Sequence, residues 1–163
     1  MTSLRNRIAG TVLVAGLIAT PVAAGIVDAA PAEAAVCTYS GCNGKDPHNT
    51  GCDVGAYTLE SFNRAGAHIE LRYSPSCKSA WAYGYSTNTW RNCTGWTDQD
   101  VLWVEGSTNR STINLRYGRC LSAAPGYWFY TAMVGFNYWT RACLVNYAPM
   151  SSTPRYNGCT AWR

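Results

Sequence analysis

The sequence predicts an all-β fold: a small antiparallel barrel or sandwich with a candidate internal duplication, stabilised by disulfides. Three observations carry this expectation. Short runs rich in Thr, Tyr, Trp, Val and Ile recur through the chain, separated by Gly, Asn and Ser, which is the pattern of strands joined by turns. Eight cysteines, Cys37, Cys42, Cys52, Cys77, Cys93, Cys120, Cys143 and Cys159, all follow the N-terminal segment. No stretch of that later sequence shows a long helical period, and only Thr58 to Arg64 would tolerate a short helix.

The N-terminal segment comes first. Arg5 and Arg7 precede an apolar stretch from Ile8 to Ala19, and Ala32-Glu33-Ala34 supplies an A-x-A cleavage pattern. Residues 1–34 therefore read as a secretory signal peptide cut after Ala34. Pro21 and Asp28 interrupt the apolar run, leaving it too short for a bilayer core of ~30 Å, so no membrane span is expected. Asn6 separates the two arginines, against a twin-arginine signal, and Ala34-Ala35-Val36 before Cys37 lacks the residues of a lipid-attachment site.

Residues 35–163 then form a single disulfide-rich domain, with a secreted, extracellular location. An even set of thiols entering an oxidising space pairs into disulfides in preference to holding a metal or serving as a free nucleophile. No metal and no cofactor are expected. Bridges at ~2–4 kcal/mol each would together rival the ~5–15 kcal/mol stability of a typical domain. The chain carries 13 Lys and Arg against 9 Asp and Glu, a net charge of +4. These basic residues are scattered singly, which suits a solubilising surface better than a nucleic-acid footprint, so nucleic acid is a disfavoured partner.

Along the domain, Cys37 to Cys52 is dense in turn formers, with Ser40-Gly41, Asn43-Gly44, Asp46-Pro47 and Asn49-Thr50-Gly51, and reads as a loop stapled by its own cysteines. Strands follow at Tyr57 to Phe62, His68 to Tyr73, Ala80 to Ser86, Val101 to Glu105, Thr112 to Tyr117, Tyr127 to Val134 and Ala142 to Tyr147. Turns are expected at Asn63 to Ala67 and at Gly135 to Thr140.

One segment echoes another. Ile69-Glu70-Leu71-Arg72-Tyr73, followed by Cys77, is matched by Ile113-Asn114-Leu115-Arg116-Tyr117, followed by Cys120. Cys52 and Cys93 stand upstream at comparable distances, so a duplicated unit would pair Cys52 with Cys77 and Cys93 with Cys120, leaving Cys37, Cys42, Cys143 and Cys159 to close the ends. Strand alternation sends Ile, Leu and Tyr to one face and the arginine to the other. Arg72 and Arg116 could form a paired anion site, or could pair with Glu70, Glu60 or Glu105 across a sheet; the second reading is favoured because strand surfaces commonly carry such pairs.

Cys42-Asn43-Gly44-Lys45-Asp46-Pro47, Gly51-Cys52, the run Glu70-Leu71-Arg72-Tyr73-Ser74-Pro75-Ser76-Cys77 and Ala80-Trp81 together resemble an actinobacterial family of exported proteins, the domain of unknown function numbered 2690. The match is clear from Cys37 to about Ala82, and Thr131-Ala132-Met133-Val134 and Arg141-Ala142-Cys143 are similar to the family's C-terminal part. The family often continues Ala-Trp-Ala-Arg, whereas this chain has Trp81-Ala82-Tyr83. The resemblance implies an exported domain from a high-GC Gram-positive bacterium and brings no established activity.

The polar residues offer several chemistries. Asp46, Asn49 and Asp53 offer oxygen ligands of the kind calcium prefers, but their spacing matches no EF-hand and suits ordinary turns. His48, His68, Glu60, Glu70, Arg72 and Lys45 could supply the acid, base and cation of a nuclease, and Glu60, Glu70, Asp98, Asp100 and Glu105 the carboxylate pair of a glycosidase. No G-x-S-x-G or H-E-x-x-H occurs, so serine hydrolase and zincin chemistry lack their motifs. No catalytic residue is assigned, and a non-enzymatic role is favoured.

The aromatics point elsewhere. With 7 Trp and 11 Tyr, the domain holds more rings than a modest core needs, and Tyr127-Trp128-Phe129-Tyr130 in a strand must send rings to both faces. Phe136, Trp90 and Trp96 lie in expected turns and add to the set. The favoured expectation is a disulfide-stabilised binding or interaction domain whose partner is a cell-wall glycan or another exported protein. Tyr127, Trp128, Tyr130, Tyr138 and Trp139 would stack or anchor, and Arg72 and Arg116 would contact anions. The alternatives are a small secreted hydrolase, nuclease or glycosidase, and a toxin or inhibitor component of a secreted complex.

Overall fold

In Ala67-His68-Ile69-Glu70-Leu71-Arg72 every second side chain is apolar, and an extended backbone places Ala67, Ile69 and Leu71 on one face. All three are buried, while His68, Glu70 and Arg72 face outward and are half-buried. The computed structural model describes residues 36–64, 66–86, 99–121, 127–147 and 153–163, within one compact unit, Glu33–Arg163. The expected signal peptide, Cys93, Trp90 and Trp96 lie outside the described residues.

The strands are β1 (Tyr57–Arg64), β2 (Ala67–Ser74), β3 (Ser79–Ser86), β4 (Gln99–Ser107), β5 (Ile113–Cys120), β6 (Trp128–Tyr130), β7 (Val134–Gly135), β8 (Trp139–Tyr147) and β9 (Pro154–Cys159). The first sheet runs β1-β2-β3-β6, with β7 also pairing β3, and the second runs β5-β4-β8-β9. Every pairing is antiparallel. The two sheets do not close into a barrel; they form a sandwich. Ile69, Leu71, Ala80 and Ala82 of the first sheet pack against Leu102, Val104, Ala142 and Leu144 of the second, joined by Leu121 and Val134.

The strand expected at Tyr127 to Val134 is broken. Thr131 leaves the sheet between β6 and β7, its amide still donating to the Ala82 carbonyl at 3.0 Å and its hydroxyl accepting from the Ala82 amide at 3.1 Å. Met133 then pairs with the N-terminal loop, donating to the Lys45 carbonyl at 2.9 Å and accepting from the Gly44 amide at 3.0 Å. Thr58 to Arg64 lies in strand β1 and not in a helix.

The cysteine loop contains one 3-10 turn, Tyr39–Cys42. Cys37 bonds Cys42 within it, and Cys52 bonds Cys77 in the β2–β3 turn. Cys143 bonds Cys159 across the β8–β9 pair. Cys120 is also disulfide-bonded. The loop lies over the outward face of the first sheet, where Cys37, Cys42, Cys52 and Cys77 surround buried Trp81 and Met133. A methyl group at Gly135 would collide with the backbone of Tyr39 and Ser40, so only glycine lets β7 meet the loop this closely.

The two echoing segments occupy different positions. β2 is an interior strand paired with β1 and β3, whereas β5, among the described residues, is an edge strand paired with β4 alone. Ile69 and Leu71 are fully buried; Ile113 and Leu115 are half-buried. The predicted Cys52–Cys77 bridge is present.

Candidate functional site: an aromatic face on the first sheet

Register decides which side chains share the outward face of the first sheet. His68, Glu70 and Arg72 of β2 stand opposite Tyr85, Tyr83 and Trp81 of β3, and Tyr85 and Tyr83 stand opposite Trp128 and Tyr130 of β6. Residues opposite one another in an antiparallel pair point to the same side. The cysteine loop covers Trp81, and its far end reaches Tyr130. Tyr83, Tyr85 and Trp128 form the part of this face that remains open.

The rings pack closely. Trp128 stacks on Tyr83 with centroids 4.5 Å apart and planes at 13°, and meets Tyr85 edge-on at 4.4 Å. His68 lies 5.4 Å from Tyr85 and 6.0 Å from Trp128. Trp128 is 43% exposed and its neighbour Tyr127 is 67% exposed. The Arg72 guanidinium sits 5.6 Å from the Tyr83 centroid. Burial, opposed by Arg72 and aided by the charge of Glu70, holds the Tyr83 hydroxyl above its ordinary pKa, so it serves this face as a neutral hydrogen-bonding group.

Beside the rings runs a polar row. Glu70 accepts from the Thr58 hydroxyl at 2.6 Å and from Arg72 at 3.5 Å on one oxygen, and meets His68 Nε2 at 3.1 Å on the other. His68 Nδ1 is 2.7 Å from Asn63 Oδ1, and Arg72 also donates to the Ala56 carbonyl at 3.0 Å. Burial would raise the Glu70 pKa, but the hydrogen bonds from Thr58, His68 and Arg72 and the charge of Arg72 outweigh it and hold the carboxyl below its ordinary range. Both carboxylate oxygens of Glu70 and both ring nitrogens of His68 thus have partners within this row.

A cleft flanks each end of the face. One, of about 240 Å³, is lined by Asn63, Arg64, Gly66, Ala67, His68 and Tyr85. The other, of about 260 Å³, includes Asp46, Arg119, Tyr130 and Thr131 in its walls. At that second end His48 Nδ1 is 2.6 Å from Asp53 and the His48 ring meets Tyr130 edge-on at 4.5 Å. Tyr130 donates to Asp46 at 3.4 Å, and burial together with Asp46 raises its pKa. Asp46 Oδ1 accepts from the backbone amides of His48 and Asn49, the turn role that its sequence context suggested.

The sequence-derived residues divide between two surfaces. Arg72, Trp128 and Tyr130 share the aromatic face, with Tyr127 exposed beside it. Tyr138 packs against the core. Trp139, 39% exposed, begins β8 in the second sheet under the Arg110 guanidinium at 3.5 Å. Arg116 also belongs to the second sheet, so it forms no single anion site with Arg72. It donates to Glu105 at 2.9 Å and to the Tyr156 hydroxyl at 2.8 Å, and lies over Trp103 at 4.0 Å. Both arginines pair with glutamates, as the favoured reading had it, while Glu60 pairs with Arg163 at 2.8 Å.

Sequence reasoning did not single out Tyr83 and Tyr85. Their signal was present in Trp81-Ala82-Tyr83-Gly84-Tyr85, which places rings on one face and small residues on the other. It also missed the environment of Glu105, a fully buried carboxylate held by Arg116, Arg141 and Tyr156. Burial and Glu105 raise the Tyr156 pKa, so the phenol donates as a neutral group at 2.6 Å.

These features define a disulfide-stapled β-sandwich with a partly covered aromatic face. The chain belongs to the family described as protein of unknown function DUF2690, whose model matches residues 40–143. The matched span includes nearly all of the cysteine loop and every residue of the aromatic face. No curated protein and no solved structure matches the chain. No helix of the described residues is long and apolar enough to cross a membrane.

Proposed function

We propose that the chain is an exported binding module that takes a cell-wall glycan on the face formed by Tyr83, Tyr85 and Trp128. The observation that carries this reading is the placement of Trp128. One face of its indole is stacked on Tyr83 while the residue stays 43% exposed, so the ring is pre-organised and costs little ordering when a flat apolar sugar face lies on it. Clefts at both ends of the face offer room for neighbouring units of a chain. The signal-peptide pattern and the disulfides agree with a role outside the cell.

A hydrolase receives less support. Glu70 and His68 already bond each other and their neighbours, whereas a general base needs a free lone pair aimed at substrate.

The test is retention of the domain on isolated cell wall. Trp128→Ala is expected to weaken binding by about 2 kcal/mol, roughly 30-fold, the size of an aromatic hot spot. Trp139→Ala, on the second sheet, is expected to leave retention unchanged. Equal retention of wild type and Trp128→Ala would refute the assignment.

A further inference from the structure

The cysteine loop holds a second arrangement of chemical interest, independent of the aromatic face. Cys37, Cys42, Cys52 and Cys77 are all buried, and their four sulfurs lie within 4.8 Å of one another. The two bridges are neighbours: Cys37 Sγ is 3.9 Å from Cys52 Sγ, a distance between sulfurs that are not bonded to each other. Tetrahedral zinc with Zn–S bonds of ~2.3 Å sets its ligand sulfurs ~3.8 Å apart. The Cys37–Cys52 separation already has that value. With all four sulfurs within 4.8 Å of one another, side-chain rotation at Cβ can bring the rest of the quartet to it once the bridges are reduced.

The surroundings suit thiolates as well. The Thr50 hydroxyl, which donates to the Asp46 carbonyl at 2.8 Å, lies 3.1 Å from Cys52 Sγ, and the Ser76 hydroxyl, paired with that of Ser74, lies 3.9 Å from Cys77 Sγ, so each can turn its proton to a thiolate. Such hydroxyls stabilise charged sulfur ligands and fix their orientation. Cys37 and Cys42 are separated by four residues, a spacing found in structural zinc sites. The backbone that carries the quartet is itself anchored, by Tyr39 donating to the Cys77 carbonyl at 2.9 Å and Cys52 donating to the Pro47 carbonyl at 2.8 Å.

We infer that this quartet is a closed tetrathiolate site for Zn²⁺ when the chain is reduced, so that the same four sulfurs clamp the loop over Trp81 in either redox environment. The steps balance. Each disulfide takes two electrons and two protons from a dithiol reductant, which leaves as its own disulfide. Zn²⁺ then forms four Zn–S bonds and releases four thiol protons to water.

The experiment reduces the chain with a phosphine, removes the reductant anaerobically and titrates Zn²⁺ against a chromophoric chelator, with Co²⁺ as the spectroscopic probe. Wild type and the variant Cys143→Ala/Cys159→Ala are each expected to retain one zinc per chain against the chelator and to give the visible spectrum of tetrahedral thiolate cobalt. The variant Cys37→Ser/Cys42→Ser is expected to lose both. If reduction alone unfolds the loop, zinc must restore the near-ultraviolet circular dichroism of wild type but not of Cys37→Ser/Cys42→Ser. Absence of retained zinc in reduced wild type, retention unchanged in Cys37→Ser/Cys42→Ser, or, where reduction unfolds the loop, no recovery of structure on adding zinc would each overturn the inference.

Discussion

Glu70 stands on the outward face of the first sheet, yet three donors, one of them the Arg72 guanidinium, keep it ionised. Its folded pKa lies below the ordinary value near 4.5, so the unfolded chain binds that proton more tightly than the folded one. The resulting stability is present above the unfolded value and is lost as pH falls through the folded one. Replacing it by glutamine removes the charge-assisted bonds and is expected to cost about 1–2 kcal/mol at neutral pH. Urea midpoints of wild type and Glu70→Gln should differ near neutrality and converge as the pH drops below about 4.5, where the carboxyl of the unfolded chain takes up its proton before that of the folded one. A gap independent of pH would show that packing, not charge, is responsible. Glu105 makes a larger demand. It is fully buried between Arg116 and Arg141, so Glu105→Ala leaves two guanidiniums without their counter-ion and is expected to cost about 3–5 kcal/mol in the same measurement. The Arg116 pairing with Glu105 was among the options open in the sequence. Arg141 was not, because it meets Glu105 only through the β4–β8 pairing, between residues 36 apart in the chain.

At the level of elements, legibility followed local pattern. β1, β2 and β3 announce themselves by alternation or by β-branched and aromatic content, and their turns by Asn63, Gly66 and the Ser74–Ser79 stretch. β9 escaped notice because Pro154, Asn157 and Gly158 read as turn residues; an edge strand tolerates them, since one side of its backbone needs no partner. The break between β6 and β7 was equally hidden, as the chain leaves the sheet after Tyr130 and Met133 bonds Gly44 and Lys45 of a loop far earlier in the sequence. The echo of Ile69 in Ile113 correctly suggested the Cys52–Cys77 bridge, but local sequence could not say that one copy becomes interior and the other an edge. The bridges also differ in their expected worth. Cys37–Cys42 closes a span of 5 residues and Cys52–Cys77 one of 25, so loop entropy assigns about 2 kcal/mol to the first and about 3.5 kcal/mol to the second. Paired alanine variants unfolded in urea should show that order. The Cys52–Cys77 variant should also expose amides 39–56 to hydrogen exchange, because this bridge ties the loop to the sheet beneath it.

Across the whole molecule, the sandwich separates the residues that hold it together from those available at its surface. The buried faces of β2 and β3 meet those of β4 and β8 in one apolar layer, whereas Trp128 lies on the opposite side of the first sheet. A residue in that layer should therefore be felt by both sheets at once. Leu71, fully buried at its centre, is expected to cost about 2–5 kcal/mol when cut to alanine, through lost transfer energy and the cavity left behind. Trp81 reports on the first sheet and Trp103 on the second, so single-tryptophan variants can follow each in turn. Leu71→Ala should lower the midpoint seen by both probes equally, as one cooperative transition requires. Trp128→Ala should leave both midpoints within about 1 kcal/mol of wild type, because its ring covers Tyr83 from outside and fills no part of the layer. If Leu71→Ala moved the Trp81 probe alone, the sheets would be separable units and the aromatic face would stand on the first sheet by itself.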